Sequence, residues 1–245
     1  MSNNDIKNIV NKSLDRAEAI WNEVGTLMFA ECDKSFRAAI PSQIPEHSLV
    51  DPKKPEVGEF IALVVDMRKS SRHLMCEIAE AKVSRLQRIF YEVSALLPAT
   101  AQSIYDRNGK ITEYLGDGLL SIFKVDNNNP EKSLYASYNA ACECIENVHN
   151  IVNPILNDRY SLPDISIGVG LAKSKAVVTT IGLVKYMQPK VFGECVFYAS
   201  KLSSGNNQIY ISESLKNDWP TSKGGVLTFT PKKLNNVDGY LVTSK

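Results

Sequence analysis

The chain has 245 residues, of which 44% are hydrophobic and 22% are charged, and its formal net charge is +1. This length allows one large globular domain, and the composition excludes both a disordered chain and a strongly basic nucleic-acid binder. The five cysteines form no CxxC pair, no secretory signal is recognisable, and every apolar run is shorter than the roughly 20 residues of a membrane span. We therefore expect a cytoplasmic protein with reduced thiols that binds neither nucleic acid nor membrane.

The beginning of the chain differs in pattern from the remainder. Helix-compatible residues occupy 5–39, and four prolines between positions 41 and 55 then interrupt regular structure. We predict a helical N-terminal segment with a proline-rich linker over 1–57, followed by one main domain over 58–245.

The main domain opens with a strand that is apolar on both faces. The run EFIALVVDM ends at Asp66 and a methionine, and it is typical of a central strand covered on each side. Apolar residues then recur at helical spacing from Leu74 to Leu97, and Pro98 marks the predicted end of that helix. ITEYLGDGLLSIF, over 111–123, has the pattern of a hairpin with an aspartate at its tip.

The next elements repeat the helix and strand pattern. Apolar positions over 134–152 predict a second amphipathic helix that stops near Pro154, and DISIGVGLA, beginning at Asp164, predicts a strand. NNQIYIS and GGVLTFT are further strand candidates. The order is that of an α+β fold with a ferredoxin-like βαββαβ core, in which two helices pack on one antiparallel sheet.

This topology brings together two acidic residues that are distant in sequence. The first strand lies beside the hairpin, so the end that carries Asp66 approaches the tip that carries Asp117. Two adjacent carboxylates repel each other unless a cation lies between them, and oxygen ligands suit Mg²⁺ or Mn²⁺. A GDG sequence is also a common structural turn, but an unpaired acid that ends an apolar strand is costly. The pair points to metal-assisted phosphoryl or nucleotidyl transfer.

At these residues the chain resembles the catalytic domains of class III nucleotidyl cyclases, the adenylate and guanylate cyclase family, over about 58–245. Four segments carry the resemblance in order: FIALVVDMRKSS, ITEYLGDGLLSIF, ISIGVGLAKSKAVVTTIG and VFGECVFYASKLSS. The resemblance implies a palm-like fold and a head-to-tail homodimer with active sites at the interface. It also implies attack of the ribose 3′-hydroxyl of a nucleoside triphosphate on the α-phosphorus, which releases pyrophosphate and a 3′,5′-cyclic nucleotide.

The resemblance assigns roles to individual residues near the first strand and the hairpin. Asp66 and Asp117 would be the metal-binding aspartates for two Mg²⁺ or Mn²⁺ ions, and the carbonyl of Met67 would add a ligand. The segment that follows, which includes Ser70 and Ser71, would wrap the triphosphate.

The last of the four segments departs from the family pattern. The usual Asn and Arg, which orient the ribose and stabilise the transition state, fall on Phe197 and Lys201. Lys201 would neutralise charge without a guanidinium fork, and Phe197 cannot hydrogen-bond the ribose. The two base-reading positions fall on Glu113, an acid typical of guanine recognition, and Lys190, which is typical of neither purine.

Arg68 and Arg72 follow the metal strand and resemble a motif of the bacterial Pycsar pyrimidine cyclases. That resemblance implies cyclic UMP or cyclic CMP as a second messenger that activates a separate effector protein in antiviral defence. We expect UTP as the substrate in preference to CTP, because cyclic UMP is the commoner product in that group. A divergent guanylate cyclase and a catalytically silent nucleotide-sensing module are the alternatives, and the two arginines alone would also fit a solvated helix start.

Overall fold

A computed structural model describes residues 3–23, 40–75, 78, 81–183, 186–221 and 225–244. The helices are α1 (Asn3–Glu23), α2 (Ser70–Met75), α3 (Arg85–Asp106), α4 (Pro130–Asn147), α5 (Asn153–Tyr160), α6 (Glu194–Leu202) and α7 (Glu213–Asn217), with a π-helical turn (Val148–Val152) between α4 and α5. The strands are β1 (Ile40–Pro41), β2 (Leu49–Val50), β3 (Glu56–Met67), β4 (Lys110–Tyr114), β5 (Gly118–Lys124), β6 (Ile167–Ile181), β7 (Gln188–Gly193), β8 (Gln208–Ile211), β9 (Leu227–Leu234) and β10 (Val237–Ser244). Within these described ranges, no helix is both long and apolar enough to cross a bilayer.

The main sheet has eight strands in the described part of the chain, and β3 lies near its middle. Seven of them follow the order β4-β5-β3-β6-β8-β10-β9, and β7 pairs with the outer half of β6. β3 is antiparallel to both β5 and β6, whereas β6 and β8 are parallel. The sequence β3-α3-β4-β5-α4-β6 confirms the predicted α+β fold with a βαββαβ core.

The two faces of β3 face different layers, which explains its uninterrupted apolar sequence. Ile61, Leu63 and Val65 belong to the core shared with α1, α3 and α4. Phe60, Ala62 and Val64 belong to a second core on the opposite face, covered by α6 and by the loop between β1 and β2. A strand buried on both sides has no polar face to expose, as the sequence pattern indicated.

The helix predicted from Leu74 to Leu97 is wrong at both ends. α2 ends at Met75, and α3 begins only at Arg85, after a capping box in which the Ser84 hydroxyl accepts from the Gln87 N–H and the Gln87 side chain accepts from the Ser84 N–H. Pro98 lies inside α3, which continues to Asp106. The proline removes one N–H from the helix ladder, but buried residues on either side keep this part of the helix packed.

The second predicted helix also continues past its expected end at Pro154. α4 ends at Asn147, the π-helical turn follows, and α5 then runs to Tyr160. Pro154 lies in the first turn of α5, directly after the π-helical turn, and Val152 and Asn153 before it keep helical backbone angles. The chain therefore stays helical through the proline, with the π-helical turn immediately before it.

The N-terminal helix packs against the same core as the sheet. Its apolar face buries Ile6, Val10, Leu14 and Ala17 in the cluster that includes α3. At its polar edge, Asp15 accepts a hydrogen bond from Arg159 at 2.5 Å. The predicted helical segment extended over 5–39, and residues 24–39 lie outside the described part of the chain. The boundary between 57 and 58 stays a prediction.

Candidate active site

The C-terminal end of β3 and the tip of the β4–β5 hairpin lie side by side. Asp66 pairs with Gly118 of β5 on one side and with Gly168 of β6 on the other. The Met67 N–H donates to the backbone carbonyl of Asp117 at 3.1 Å. The topology thus brings the two aspartates onto adjacent chain segments, at the position expected from the strand order.

The glycines on either side of Asp117 have separate structural reasons. Gly116 has φ +83°, in the left-handed region that glycine adopts without strain. Gly118 lies so close to β3 that a Cβ there would be 2.3 Å from the Val65 carbonyl oxygen. One glycine allows the tight turn, the other allows the close approach of β5, and together they fix the aspartate between them at the end of β3.

Arg68 brings a positive charge to this pair of carboxylates. Its guanidinium forms an ion pair with the Asp66 carboxylate, and its Nε donates to the Asp66 carbonyl at 3.4 Å. Burial lowers the pKa of Arg68, and the negative charge of Asp117 opposes that shift. The cation that two adjacent carboxylates require is therefore supplied here by an arginine from the next turn of the chain.

The two carboxylates at the end of β3 suit a divalent ion whose other ligands are water and substrate phosphates. Across the described ranges, no group of three or more His, Cys, Asp or Glu side chains is arranged to hold a metal. Asp66 and Asp117 supply oxygen ligands only, and the Asp66 side chain is 37% exposed beside its arginine. Mg²⁺ typically binds one or two carboxylates and completes its shell with water and substrate phosphates. Two accessible carboxylates match that mode of binding better than an all-protein cage.

The segment after Asp66 makes a turn and then a short helix. Lys69 has φ +59°, and the N–H of Arg72 donates to the Lys69 carbonyl at 2.8 Å in the first turn of α2. Ser71 and Arg72 are exposed, and Ser70 is half-buried. Arg68 precedes α2 and turns back to Asp66, so Arg68 and Arg72 do not share a helix face.

Glu113 and Lys190 form an ion pair across the curled sheet. Lys190 Nζ lies 2.6 Å from Glu113 Oε2, and both side chains are about three-quarters buried, at 24% and 25% exposed. β4 and β7 are not neighbours in the sheet, but β6 is long and its outer half carries β7 over the face of β5. Val191 of β7 accordingly packs in the same apolar cluster as Leu120 of β5. The two positions that the resemblance links to base recognition therefore meet in one chain.

Phe197 and Lys201 lie on exposed or half-buried positions of α6. The Phe197 side chain is 54% exposed, and Lys201 Nζ lies 5.7 Å from the centroid of its ring, within range of a cation–π contact. α6 itself lies close against β6, because a Cβ at Gly170 would be 2.0 Å from the Ala199 carbonyl oxygen. Gly170 thus lets α6 pack closely against β6, and this close packing determines how far Lys201 lies from the sheet.

None of the described cysteines is suited to act as a nucleophile. Cys144 and Cys195 are fully buried, and burial raises the pKa of each thiol. Burial also raises the pKa of Cys142. Because the thiolate is the reactive form, these side chains are structural.

The comparison with known proteins begins with one related sequence. No protein-family model matches the chain. An adenylate cyclase of Anabaena cylindrica is 26% identical over 131 residues, which are 52% of this chain and 25% of that protein. The match therefore spans about a quarter of the length of the curated relative.

Solved structures resemble a larger part of the chain. The adenylyl cyclase CyaB from P. aeruginosa has a TM-score of 0.62 at 16% identity, covering 78% of this chain and 97% of that chain. The guanylyl cyclase Cya2 has a TM-score of 0.60 at 20% identity, covering 77% and 93%. The guanylate cyclase domain of RhGC from Catenaria anguillulae, solved in complex with GTP, has a TM-score of 0.59 at 15% identity, covering 78% and 99%. The chain therefore has the fold of the class III adenylyl and guanylyl cyclase catalytic domains.

Proposed function

We propose that this protein is a nucleotide cyclase that converts a pyrimidine nucleoside triphosphate, UTP in preference to CTP, into the 3′,5′-cyclic nucleotide and pyrophosphate. The observation that carries the proposal is the placement of Asp66 and Asp117 on adjacent chain segments at the end of β3, where Arg68 forms an ion pair with Asp66. The shared cyclase fold and the adenylate cyclase relative support the reaction class.

In this proposal the two carboxylates hold Mg²⁺ or Mn²⁺, with the Met67 carbonyl as a further ligand and two ions at each site. Bound in this way, such ions lower the pKa of the ribose 3′-hydroxyl and stabilise negative charge on the phosphates. Asp66 and Asp117 fix the site at the C-terminal end of β3. Arg68, now paired with Asp66, is long enough to exchange that carboxylate for a phosphate of the substrate.

The remaining residues of the proposed site divide into donors on α2 that bind the triphosphate and one lysine on α6 that opposes the charge developing in the transition state. Arg72 offers a guanidinium fork from the exposed side of α2, and Ser70 and Ser71 offer hydroxyl donors from its first turn. Lys201 provides a point charge that replaces the family's transition-state arginine. An interaction accelerates the reaction only if it is stronger in the transition state than in the bound substrate. Negative charge builds up on the leaving pyrophosphate in the transition state, so a lysine beside it would be such an interaction. Lys201 is therefore the catalytic cation in this scheme.

Base choice is assigned to the ion pair of Glu113 and Lys190. We expect Lys190→Ala to change the ratio of kcat/KM values among UTP, CTP, GTP and ATP by about tenfold, because it leaves a largely buried carboxylate without its cation at the base-binding position. The measurement is a set of initial rates with the four nucleotides. Lys124→Ala is the control, because Lys124 is about as buried as Lys190 but pairs with an exposed carboxylate, Glu46, at the far end of β5. It should leave the ratio unchanged. Equal ratios in wild type and Lys190→Ala would remove the pair from base selection.

A homodimer with active sites at the interface is part of the proposal. The β6–β7 arm, defined as 176–193, carries apolar side chains that are 36–75% exposed: Val177, Ile181, Leu183, Tyr186 and Phe192. A concentration of exposed large apolar side chains on one arm is typical of a protein–protein contact. A second copy of the chain is the partner that the cyclase fold favours.

In the proposed biological role, the cyclic nucleotide is a second messenger of bacterial antiviral defence, and it acts on a separate effector protein. Two further candidates each rest on one residue. Glu113 favours a divergent guanylate cyclase, and Phe197, in place of a ribose-binding amide, favours a silent nucleotide-sensing module.

One experiment separates these candidates. Purified protein is incubated with each of the four nucleoside triphosphates and Mn²⁺, and the products are identified by mass spectrometry. We expect cyclic UMP as the main product, with less cyclic CMP. Cyclic GMP as the sole product would favour the guanylate cyclase, and no cyclic product from any nucleotide would favour the silent module.

A further inference from the structure

The short helix after the metal-binding strand has little packing of its own. α2 spans six residues, none of them is buried, and Leu74 and Met75 are 45% and 72% exposed. An isolated helix of this length is unstable in water, because the cost of nucleation exceeds the gain from so few hydrogen bonds. α2 therefore depends on an anchor elsewhere in the molecule.

A partly buried hydrogen bond to α3 provides that anchor. His73 Nδ1 lies 2.7 Å from Glu92 Oε2, and because a carboxylate only accepts, the ring donates its Nδ1–H. The Glu92 side chain is fully buried, and the His73 side chain is only 14% exposed. The His73 side chain thus connects α2 to α3. Arg72, one of the proposed phosphate-binding residues, is next to it in sequence.

The acceptor is itself held in place. Arg88 Nε donates to the other oxygen of Glu92 at 2.8 Å, so each carboxylate oxygen has one charged or polar donor. A fully buried carboxylate requires such partners. Both Arg88 and Glu92 lie on α3, whose start is fixed by the Ser84 capping box and whose inner face is part of the core. The Glu92 carboxylate is therefore held in a fixed position on α3, where it accepts the hydrogen bond from α2.

We infer that Glu92, through His73, is a positioning residue that holds α2 in the conformation that binds the triphosphate. The inference rests on the proposed function, since Ser70, Ser71 and Arg72 are the donors that α2 would offer to phosphate. When α2 is anchored before the ligand arrives, binding does not have to order these side chains. Without the anchor, each would have to be immobilised during binding, which weakens affinity.

The test measures binding of a ligand that carries the triphosphate but no base. Inorganic tripolyphosphate with Mn²⁺ is titrated into the full-length protein by calorimetry, and the melting temperature of every variant is recorded. We expect His73→Ala to weaken binding by about tenfold or more. His73→Asn, whose amide nitrogen takes nearly the place of Nδ1, should restore much of the affinity. His149→Ala removes an exposed histidine from the π-helical turn and should bind like wild type.

The outcomes separate this inference from the proposed function. If wild type fails to bind tripolyphosphate, the triphosphate site and the inference are both overturned. If wild type binds and folded His73→Ala binds with equal affinity, the inference alone is overturned and the cyclase proposal stands. A lower melting temperature with unchanged affinity would likewise make the bond purely structural. Glu92→Gln, which keeps the shape of the acceptor but removes its charge, should also weaken tripolyphosphate binding, and unchanged affinity there would contradict the role of Glu92.

Discussion

Asp117→Ala is expected to reduce cyclic nucleotide formation by a hundredfold or more while the protein stays folded. Removing even an outer-shell partner of a metal typically costs about 10- to 100-fold, and Asp117 is proposed as a direct ligand. The fold should tolerate the change, because the hydrogen bond to the Met67 N–H uses the backbone carbonyl of Asp117, which alanine retains. Loss of the side chain also removes one of two adjacent negative charges.

The measurements for this variant are product formation with Mn²⁺, Mn²⁺ affinity by electron paramagnetic resonance, and thermal unfolding. Asp126→Ala is the matched control, since Asp126 is also an aspartate in a turn next to β5 and its carboxylate accepts from the Asn128 N–H at 2.9 Å. It should keep full activity. An Asp117→Ala protein with wild-type turnover would show that the hairpin tip does not hold the metal.

Several features of the fold could be predicted because their signals are local. The apolar run of β3 and the two apolar runs around the GDG turn are visible in a few consecutive residues, and both elements are confirmed. Their adjacency followed from the strand order. The break between α2 and α3 also has a local signal, since Ser84 followed by Gln87 is a capping box, but the apolar spacing across the break favours one continuous helix.

Other features depend on contacts that no short stretch of sequence contains. The ion pair of Glu113 and Lys190 exists because β6 is long enough to pair with β3 and then to carry β7 across the sheet, so that positions far apart in the chain meet. The position of Arg68 depends on the turn at Lys69, where a non-glycine residue has a positive φ. The bond between His73 and Glu92 joins two helices whose separation was itself not predicted. Tertiary pairing decides these features, and local propensity does not.

Gly170→Ala is expected to lower the free energy of unfolding by about 3 kcal/mol, in the upper part of the range for overpacked cores. A Cβ at this position would lie 2.0 Å from the Ala199 carbonyl oxygen and 2.6 Å from the Ser203 nitrogen. Both are backbone atoms of α6 or its end, so the helix as a whole has to move away from β6. For a domain of this size, that loss corresponds to a fall in melting temperature of about 6–12 °C. Chemical denaturation and calorimetry measure the two quantities.

Gly116→Ala distinguishes steric overlap from backbone strain. No atom lies within 4 Å of a Cβ at Gly116, so only its φ of +83° is unfavourable to alanine, and the expected loss is about 1 kcal/mol. Gly170→Ala should also lower the rate of cyclic nucleotide formation, because α6, which the substitution displaces, carries Lys201. Turnover of Gly170→Ala, measured at a temperature where the variant is folded, should therefore fall more than tripolyphosphate affinity, which depends on α2. A Gly170→Ala protein with wild-type stability would mean that α6 does not lie against β6 as closely as described, and the placement of Lys201 would then lose its support.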